Sequence, residues 1–366
     1  MKIETTKEKI QAVVAKAERL TGKHLSLPIL SHLLLAAKRG ELTVRATNLD
    51  MGLEYSFPVK VEKEGEVAVP AAILSSFFSS LGNAKSVVLQ EDEGKLLVTG
   101  GGARARIHTT PKDDFPTIPK ADGVSFAIDP HLLVKGFKSV QYAGALGNLK
   151  PELGSVSVFQ DGEELIFAAT DSFRLAEKRI PLKKTPAGIP AVLVPVKNAA
   201  EFVRLLESER DEVRLAFGKG QLSVEGHNFF ITSRLVEGVF PDYRQIMPKD
   251  FVTEVIVLRE ELLSALKLTT LFSDRFNQLR FRIDPKKKLF ELLARSEGVG
   301  ESTQSVSAAI SGNALESNFN HRFVSDCLTN IGSDSVALRF SGENKPLLIG
   351  GVGDQSFRYL VMPMNR

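Results

Sequence analysis

The sequence predicts an α+β protein made of one unit used three times, each unit packing two helices on antiparallel sheet. Three observations predict it. Landmarks recur at a near-constant offset: Val67-Ala68-Val69-Pro70 and Val192-Leu193-Val194-Pro195 lie 125 residues apart, as do Phe115-Pro116 and Phe240-Pro241. A third segment closes on Leu360-Val361-Met362-Pro363-Met364, where Pro363 follows Pro241 by 122 residues. Each segment also runs in the same order, from a short strand to a helical stretch to alternating strands, a second helix and further strands. Finally, 43% hydrophobic and 25% charged residues are ordinary globular usage, and a 366-residue chain has room for two or three domains.

The elements follow in order. The opening strands are Lys2–Glu4, Val124–Ile128 and Thr253–Leu258. In the first helix Ile10, Val13, Val14, Ala17 and Leu20 share one face, and Thr5 or Thr6 is the expected N-cap. The matching helices are expected over Pro130–Tyr142, where proline suits the first turn, and Arg259–Leu271. Glu41–Thr47 alternates with period two behind the turn Lys38-Arg39-Gly40, and Glu164–Thr170 and Leu289–Arg295 take its place in the other units. Second helices are expected over Ala71–Leu81, Lys197–Leu206 and His321–Ile331, with Gly82 and Gly332 as stop signals. Strand pairs such as Ser86–Gln90 with Lys95–Thr99, and Val213–Phe217 with Leu222–Glu225, turn at Asp92-Glu93-Gly94 and Gly218-Lys219-Gly220. Boundaries then fall near 122 and 250, giving domains 1–122, 123–250 and 251–366.

Charge and composition exclude several classes. The net charge is +3, and residues 1–122, 123–250 and 251–366 carry +2, 0 and +1, so there is no polybasic tail. One cysteine, Cys327, permits no internal disulfide and suits a reducing compartment. The charged N-terminus lacks the apolar region of a secretion signal, and no apolar run is long enough to span a membrane. A cytoplasmic protein is expected. No phosphate loop, zinc motif or nucleophile elbow occurs, and the clusters Gly100-Gly101-Gly102 and Gly350-Gly351-Val352-Gly353 lie between strand patterns, as hairpin turns do. No catalytic residues, metal ligands or cofactors are expected. Asp171 and Arg174 are the one charged pair that an enzyme acting on nucleotides could use, but no second carboxylate stands near them in sequence. A scaffold of three like domains fits better.

Several segments together resemble the bacterial DNA sliding clamps, the β processivity subunits of the replicative polymerase. They are Leu27-Pro28-Ile29-Leu30, Ala46-Thr47-Asn48-Leu49-Asp50, Asp114-Phe115-Pro116, Ala169-Thr170-Asp171-Ser172-Phe173-Arg174-Leu175-Ala176, Glu237-Gly238-Val239-Phe240-Pro241-Asp242-Tyr243-Arg244 and Val361-Met362-Pro363-Met364. The resemblance spans the chain in order. It implies the DNA clamp fold, a head-to-tail homodimer forming a ring with helices around the hole, sequence-independent encirclement of double-stranded DNA, and no catalysis. It also implies docking of DNA polymerases, clamp loader and repair proteins through a short clamp-binding peptide.

Carried over by position, the resemblance implies a peptide pocket of Leu153, Thr170, Ser172, Phe173, Arg174, Leu175, Pro241, Ile246, Pro346, Leu360, Val361, Met362, Pro363 and Met364. Methionines adapt to several ligands, which suits a shared docking site. Ser172-Phe173 departs from the Gly-His common in relatives, which points to a reshaped groove. His24, Lys150, Lys197 and Arg204 are the implied DNA-facing residues, the last two standing two helical turns apart. Ile107 and Thr109 on one strand, and Leu271 and Phe272 at a helix end, are the implied dimer interface. Two departures concern charge: the helix over Ala71–Leu81 has no basic residue, and the family is usually acidic overall.

Overall fold

A computed structural model of the chain describes every residue except 23–26, 148–149, 183–185, 187 and 365–366. Among the described residues there are six α-helices: α1 Lys7–Glu18, α2 Ala71–Ser80, α3 Pro130–Val140, α4 Val196–Leu206, α5 Arg259–Thr269 and α6 His321–Leu328. Two fall in each sequence repeat. α2, α3, α5 and α6 end one to three residues before the expected C-terminus, while α4 ends at Leu206 as expected. After α3 and α5 the chain tightens into the 3-10 turns Gln141–Ala143 and Thr270–Phe272, a common way to finish a helix. Of the two expected N-cap residues of α1, Thr6 takes the position, but its side chain makes no capping bond. The strand Lys2–Thr6 runs up to the helix, and Thr6 is still paired with Ser86.

By its contacts the chain forms two compact units. The first comprises Met1–His131, Pro186–Ile189 and Arg204–Leu235; the second comprises Leu132–Thr185, Pro190–Val203 and Val236–Arg366. The reason lies in the sheets, which run across the sequence repeats. In the first unit an eight-stranded sheet joins Met51–Pro58 of the first repeat to Phe229–Arg234 of the second, with Tyr55 opposite Phe229. A five-stranded sheet lies beside it in the same unit and ends on the free strand Ala103–His108. α1 packs against α2, burying Ile10, Val13, Val14 and Ala17 with Leu74 and Phe78.

In the second unit a nine-stranded sheet joins Arg174–Pro181 of the second repeat to Phe357–Val361 of the third, with Leu175 opposite Leu360. A four-stranded sheet ends on the free strand Gly300–Ser305. Phe281, Phe290, Phe319 and Phe340 meet ring to ring at 5.7–6.2 Å between the two sheets. On the other side, Phe137 of α3 stacks on Phe202 of α4 at 5.8 Å and meets Phe167 edge-on at 5.0 Å. Gly136 permits that approach, because a Cβ there would lie 2.5 Å from the Phe167 ring.

The predicted turns form hairpins. Arg39 (φ 52°) and Gly40 (φ 81°) take the paired left-handed conformation that suits a two-residue hairpin loop, as do Glu93 and Gly94. Gly101 and Gly102 likewise turn the strand Lys95–Gly100 into Ala103–His108, so this glycine cluster is a hairpin.

Candidate peptide-binding site

The predicted pocket residues all lie in the second unit. Their arrangement starts from a turn. At Thr170-Asp171-Ser172-Phe173-Arg174, the Thr170 hydroxyl donates to the Arg174 carbonyl at 2.7 Å and accepts from the Ser172 N–H at 3.1 Å. Asp171 Oδ1 accepts from the N–H groups of Phe173 and Arg174, each at 2.9 Å. Threonine and aspartate side chains thereby stand in for backbone partners. The first repeat builds the same turn 123 residues earlier. Thr47 donates to the Met51 carbonyl at 2.8 Å, and Asn48 Oδ1 accepts from Asp50 and Met51 at 3.0 and 2.7 Å. Ser172 and Leu49 sit in the left-handed region at φ 75° and 74°. The repetition therefore extends to individual hydrogen bonds.

The turn aims two side chains. Phe173 points outward and is 64% exposed. Arg174 is held inward: Nε donates to Asp171 Oδ2 at 2.9 Å and Nη1 to Asp326 at 2.6 Å. Its guanidinium lies 4.5 Å from the Phe323 ring centre and 6.0 Å from that of Tyr142. Burial alone would lower the Arg174 pKa, but Tyr359, Asp326 and Asp171 outweigh it and raise the value. The group is a fixed cation whose stem and ring partners form an apolar wall. Asp171 is thus occupied in positioning Arg174.

The floor is apolar. Ala168, Leu175, Tyr243 and Leu360 form a buried cluster, with half-buried Phe159, Phe240, Met247, Leu348 and Met362 packed against it. Tyr243 donates its hydroxyl to Glu177 at 2.5 Å, and Arg179 supports that buried carboxylate at 3.0 Å. The chain end forms the rim. The Met362 N–H donates to the Phe173 carbonyl and the Met364 N–H to the Asn318 carbonyl, both at 2.8 Å. Met362, Pro363 and Met364 are therefore half-buried and anchored, while Ile246 and Pro241 are exposed. Of the fourteen expected residues, Leu153, Thr170, Leu175, Leu360 and Val361 are buried. Pro346 is half-buried.

Sequence reasoning missed Phe323, Asp326, Tyr142 and Tyr243. The first two come from α6, about 150 residues from Arg174, and carry no local signal. Tyr243 stood in the repeated Phe-Pro landmark, where its aromatic character was the available cue.

The expected interface residues separate by burial. Leu271 is 68% exposed and Phe272 half-buried, on the 3-10 turn after α5. Ile107 lies on the edge strand Ala103–His108. It is 6% exposed and faces inward opposite Leu96, because alternation along Ala103–His108 sends Arg104, Arg106 and His108 outward instead. Thr109 lies just beyond that strand, its N–H donating to the Gly94 carbonyl at 3.1 Å. Lys197 and Arg204 are exposed on α4, and Lys150 is exposed in the loop after α3. His24 lies outside the described residues. No helix among the described residues is long and apolar enough to cross a membrane.

Comparison with known proteins bears on the whole chain. Three family models match in order: the N-terminal domain of the DNA polymerase III beta subunit over residues 1–119, the central domain over 127–242 and the C-terminal domain over 244–365. A beta sliding clamp of Synechococcus elongatus is 27% identical, covering 100% of this chain and 99% of its own length. One from Pseudomonas aeruginosa is 29% identical, covering 97% and 96%. A crystal structure of a P. aeruginosa sliding clamp bound to griselimycin superposes with a TM-score of 0.95 at 27% identity, over 100% of both chains. With all three domain models matched in sequence order over nearly its full length, the chain belongs to the DNA polymerase III beta subunit family, the bacterial sliding clamps.

Proposed function

We propose that the groove rimmed by Phe173, Arg174 and Met362–Met364 takes the clamp-binding peptide of partner proteins, and that two copies of the chain close head to tail around duplex DNA. The chain is a sliding clamp, a processivity factor that tethers DNA polymerases and catalyses nothing itself. The observation that carries the peptide reading is the chain end, tied to the turn of exposed Phe173 by the Met362 N–H and packed through Met362 on the apolar floor, with the fixed Arg174 in the same turn. Exposed apolar side chains gathered this way mark a docking surface. They also offer an anchor pocket with a polar rim, as peptide hot spots require.

The ring reading rests on two open sheet edges. Unpaired edges invite another strand. The strand Ala103–His108 presents exposed Arg104 and Arg106, and the region of Gly300–Ser305 presents exposed Glu297 and Glu301. Pairing one edge with the other from a second copy sets opposite charges together, with Leu271 and Phe272 as the apolar centre. Lys150, Lys197 and Arg204 would face the DNA, giving a diffuse positive field that positions without reading sequence. The repeats 1–122, 123–250 and 251–366 would then be six similar units around the ring. A clamp on replicating DNA works in the cytoplasm, with clamp loader and repair proteins as further partners.

The test is a truncation. A chain ending at Val361 should lose binding of a polymerase-derived peptide while keeping its dimer mass. Unchanged peptide affinity would refute the pocket. A folded Leu271→Ala/Phe272→Ala variant should be monomeric, and a stable dimer would refute the interface.

A further inference from the structure

We propose that the solvent-facing side of the four-stranded sheet carries a second docking surface, a cleft for an acidic stretch of the same partner polypeptide that fills the peptide groove. The proposal rests on the groove reading. The cleft encloses about 1030 Å3 over the strands Gln278–Asp284 and Leu289–Ser296. Three guanidinium groups line it: Arg280 from the first strand, Arg295 from the second and Arg275 from the loop after the 3-10 turn Thr270–Phe272.

Register puts the strand residues on one face. Arg280 stands opposite both Leu293 and Asn318, and Arg295, two residues on from Leu293, stands opposite Glu301. Arg280 is oriented by Asn318, whose Oδ1 accepts from its Nε at 3.2 Å, while Glu316 stands 3.7 Å from its Nη1. Arg275 lies 4.8 Å from the ring centre of Phe276, which is 56% exposed. Among the described residues neither the Arg275 nor the Arg295 guanidinium pairs with a carboxylate. Each therefore presents a forked pair of donors that matches a carboxylate from outside.

Asn318 ties the cleft to the groove. Its carbonyl accepts from the Met364 N–H at 2.8 Å while its side chain holds Arg280, and Met362 is tied to Phe173 at the groove rim. Met364 follows Met362 by two residues, at most about 7 Å of chain. A polypeptide that leaves the groove along this chain end reaches Arg280 within a few residues.

The acidic members of the lining select the class of occupant. Asp274, Glu297 and Glu301 also border the cleft. Asp274 Oδ1 accepts from the N–H groups of Phe276 and Gln278, each at 3.0 Å, which fixes the loop. Carboxylates set among the arginines repel a strand charged at every unit, such as a nucleic-acid backbone. A polypeptide can set a few carboxylates on the arginines and apolar groups on Leu293 and Phe276.

The experiment is fluorescence anisotropy at low salt on the full chain, with a labelled polymerase-derived peptide that is bare or extended by three glutamates at one end or the other. One acidic extension should tighten binding by about fivefold, the worth of two exposed charge pairs, and the gain should vanish at about 0.5 M salt. Three glutamines in its place should give no gain. Arg275→Ala/Arg295→Ala, at two exposed positions, should erase the gain and leave the bare peptide's affinity unchanged. Lys286→Ala/Lys287→Ala, on the hairpin at the far end of the same strands, should leave the gain intact. No gain from either extension, or a gain that survives in the arginine variant, overturns the cleft while the bare peptide still binds. A single-stranded oligonucleotide that displaces the extended peptide from the wild type, and binds the arginine variant more weakly, assigns the cleft to nucleic acid and also overturns the proposal. A bare peptide that does not bind refutes the groove, and the cleft falls with it.

Discussion

Replacing Ser172 by glycine should stabilise the chain while leaving every hydrogen bond of its turn in place. Ser172 is held at φ 75°. A residue with a Cβ loses roughly 1–2 kcal/mol in that left-handed region. Glycine removes the clash but gives the unfolded chain more freedom, worth roughly 0.5–1 kcal/mol. The difference is a net gain of about 0.5–1 kcal/mol. The N–H that donates to Thr170 Oγ1 at 3.1 Å is retained, and so are both bonds to Asp171 Oδ1. Ser172→Ala keeps the Cβ and should be neutral, which makes it the control. Leu49→Gly, at φ 74° in the matching turn, tests the same term in the other unit. For a chain this long the gain corresponds to a melting shift of about 1 °C, readable by calorimetry on the variants side by side. The reasoning fails if Ser172→Gly melts below Ser172→Ala.

Three further outcomes are expected. Gly136→Ala should destabilise by about 1–3 kcal/mol, because its Cβ would overlap the Phe167 ring; an unchanged urea midpoint would show that the helix shifts freely. Tyr142, Tyr243 and Tyr359 are all pushed above the ordinary phenol value of 10.0, chiefly by burial, helped by Cys327 for the first and last and by Glu177 for Tyr243. Folding therefore favours their protonated form, so the stability they carry is complete below about pH 10 and is lost as pH rises beyond it. Three of the four tyrosines should ionise only as the chain unfolds, and a gradual phenolate signal from all four in the folded protein would contradict this. Cys327 is fully buried and burial pushes its thiol pKa well up, so a thiol reagent should label it only after denaturant is added; prompt labelling of the native chain would refute the packing.

Local chemistry was legible where a few neighbouring residues decide it. Period 3.6 in Ile10–Ala17, proline at position 130 and the Arg39-Gly40 turn each depend on interactions within one or two turns of chain. The landmark offsets exposed the threefold repeat for the same reason. Thr6 shows the limit: its type and position suit a cap, yet its side chain makes no capping bond. Ile107 shows another. Alternation in Ala103–His108 says that neighbours face opposite ways, and only pairing with the strand carrying Leu96 says which parity faces in.

The sequence by itself determined the repeat, the helix count per repeat and the family, since these are written in local patterns and ordered motifs. Tertiary structure alone decided that sheets run through the repeat boundaries, that Asp326 and Phe323 seat Arg174 from 152 and 149 residues away, and that Lys178 is buried beside Lys135. The physical reason is that sheet edges and grooves are made by backbone and side-chain groups that meet only after long loops close. No short stretch of sequence records which distant edge will satisfy them.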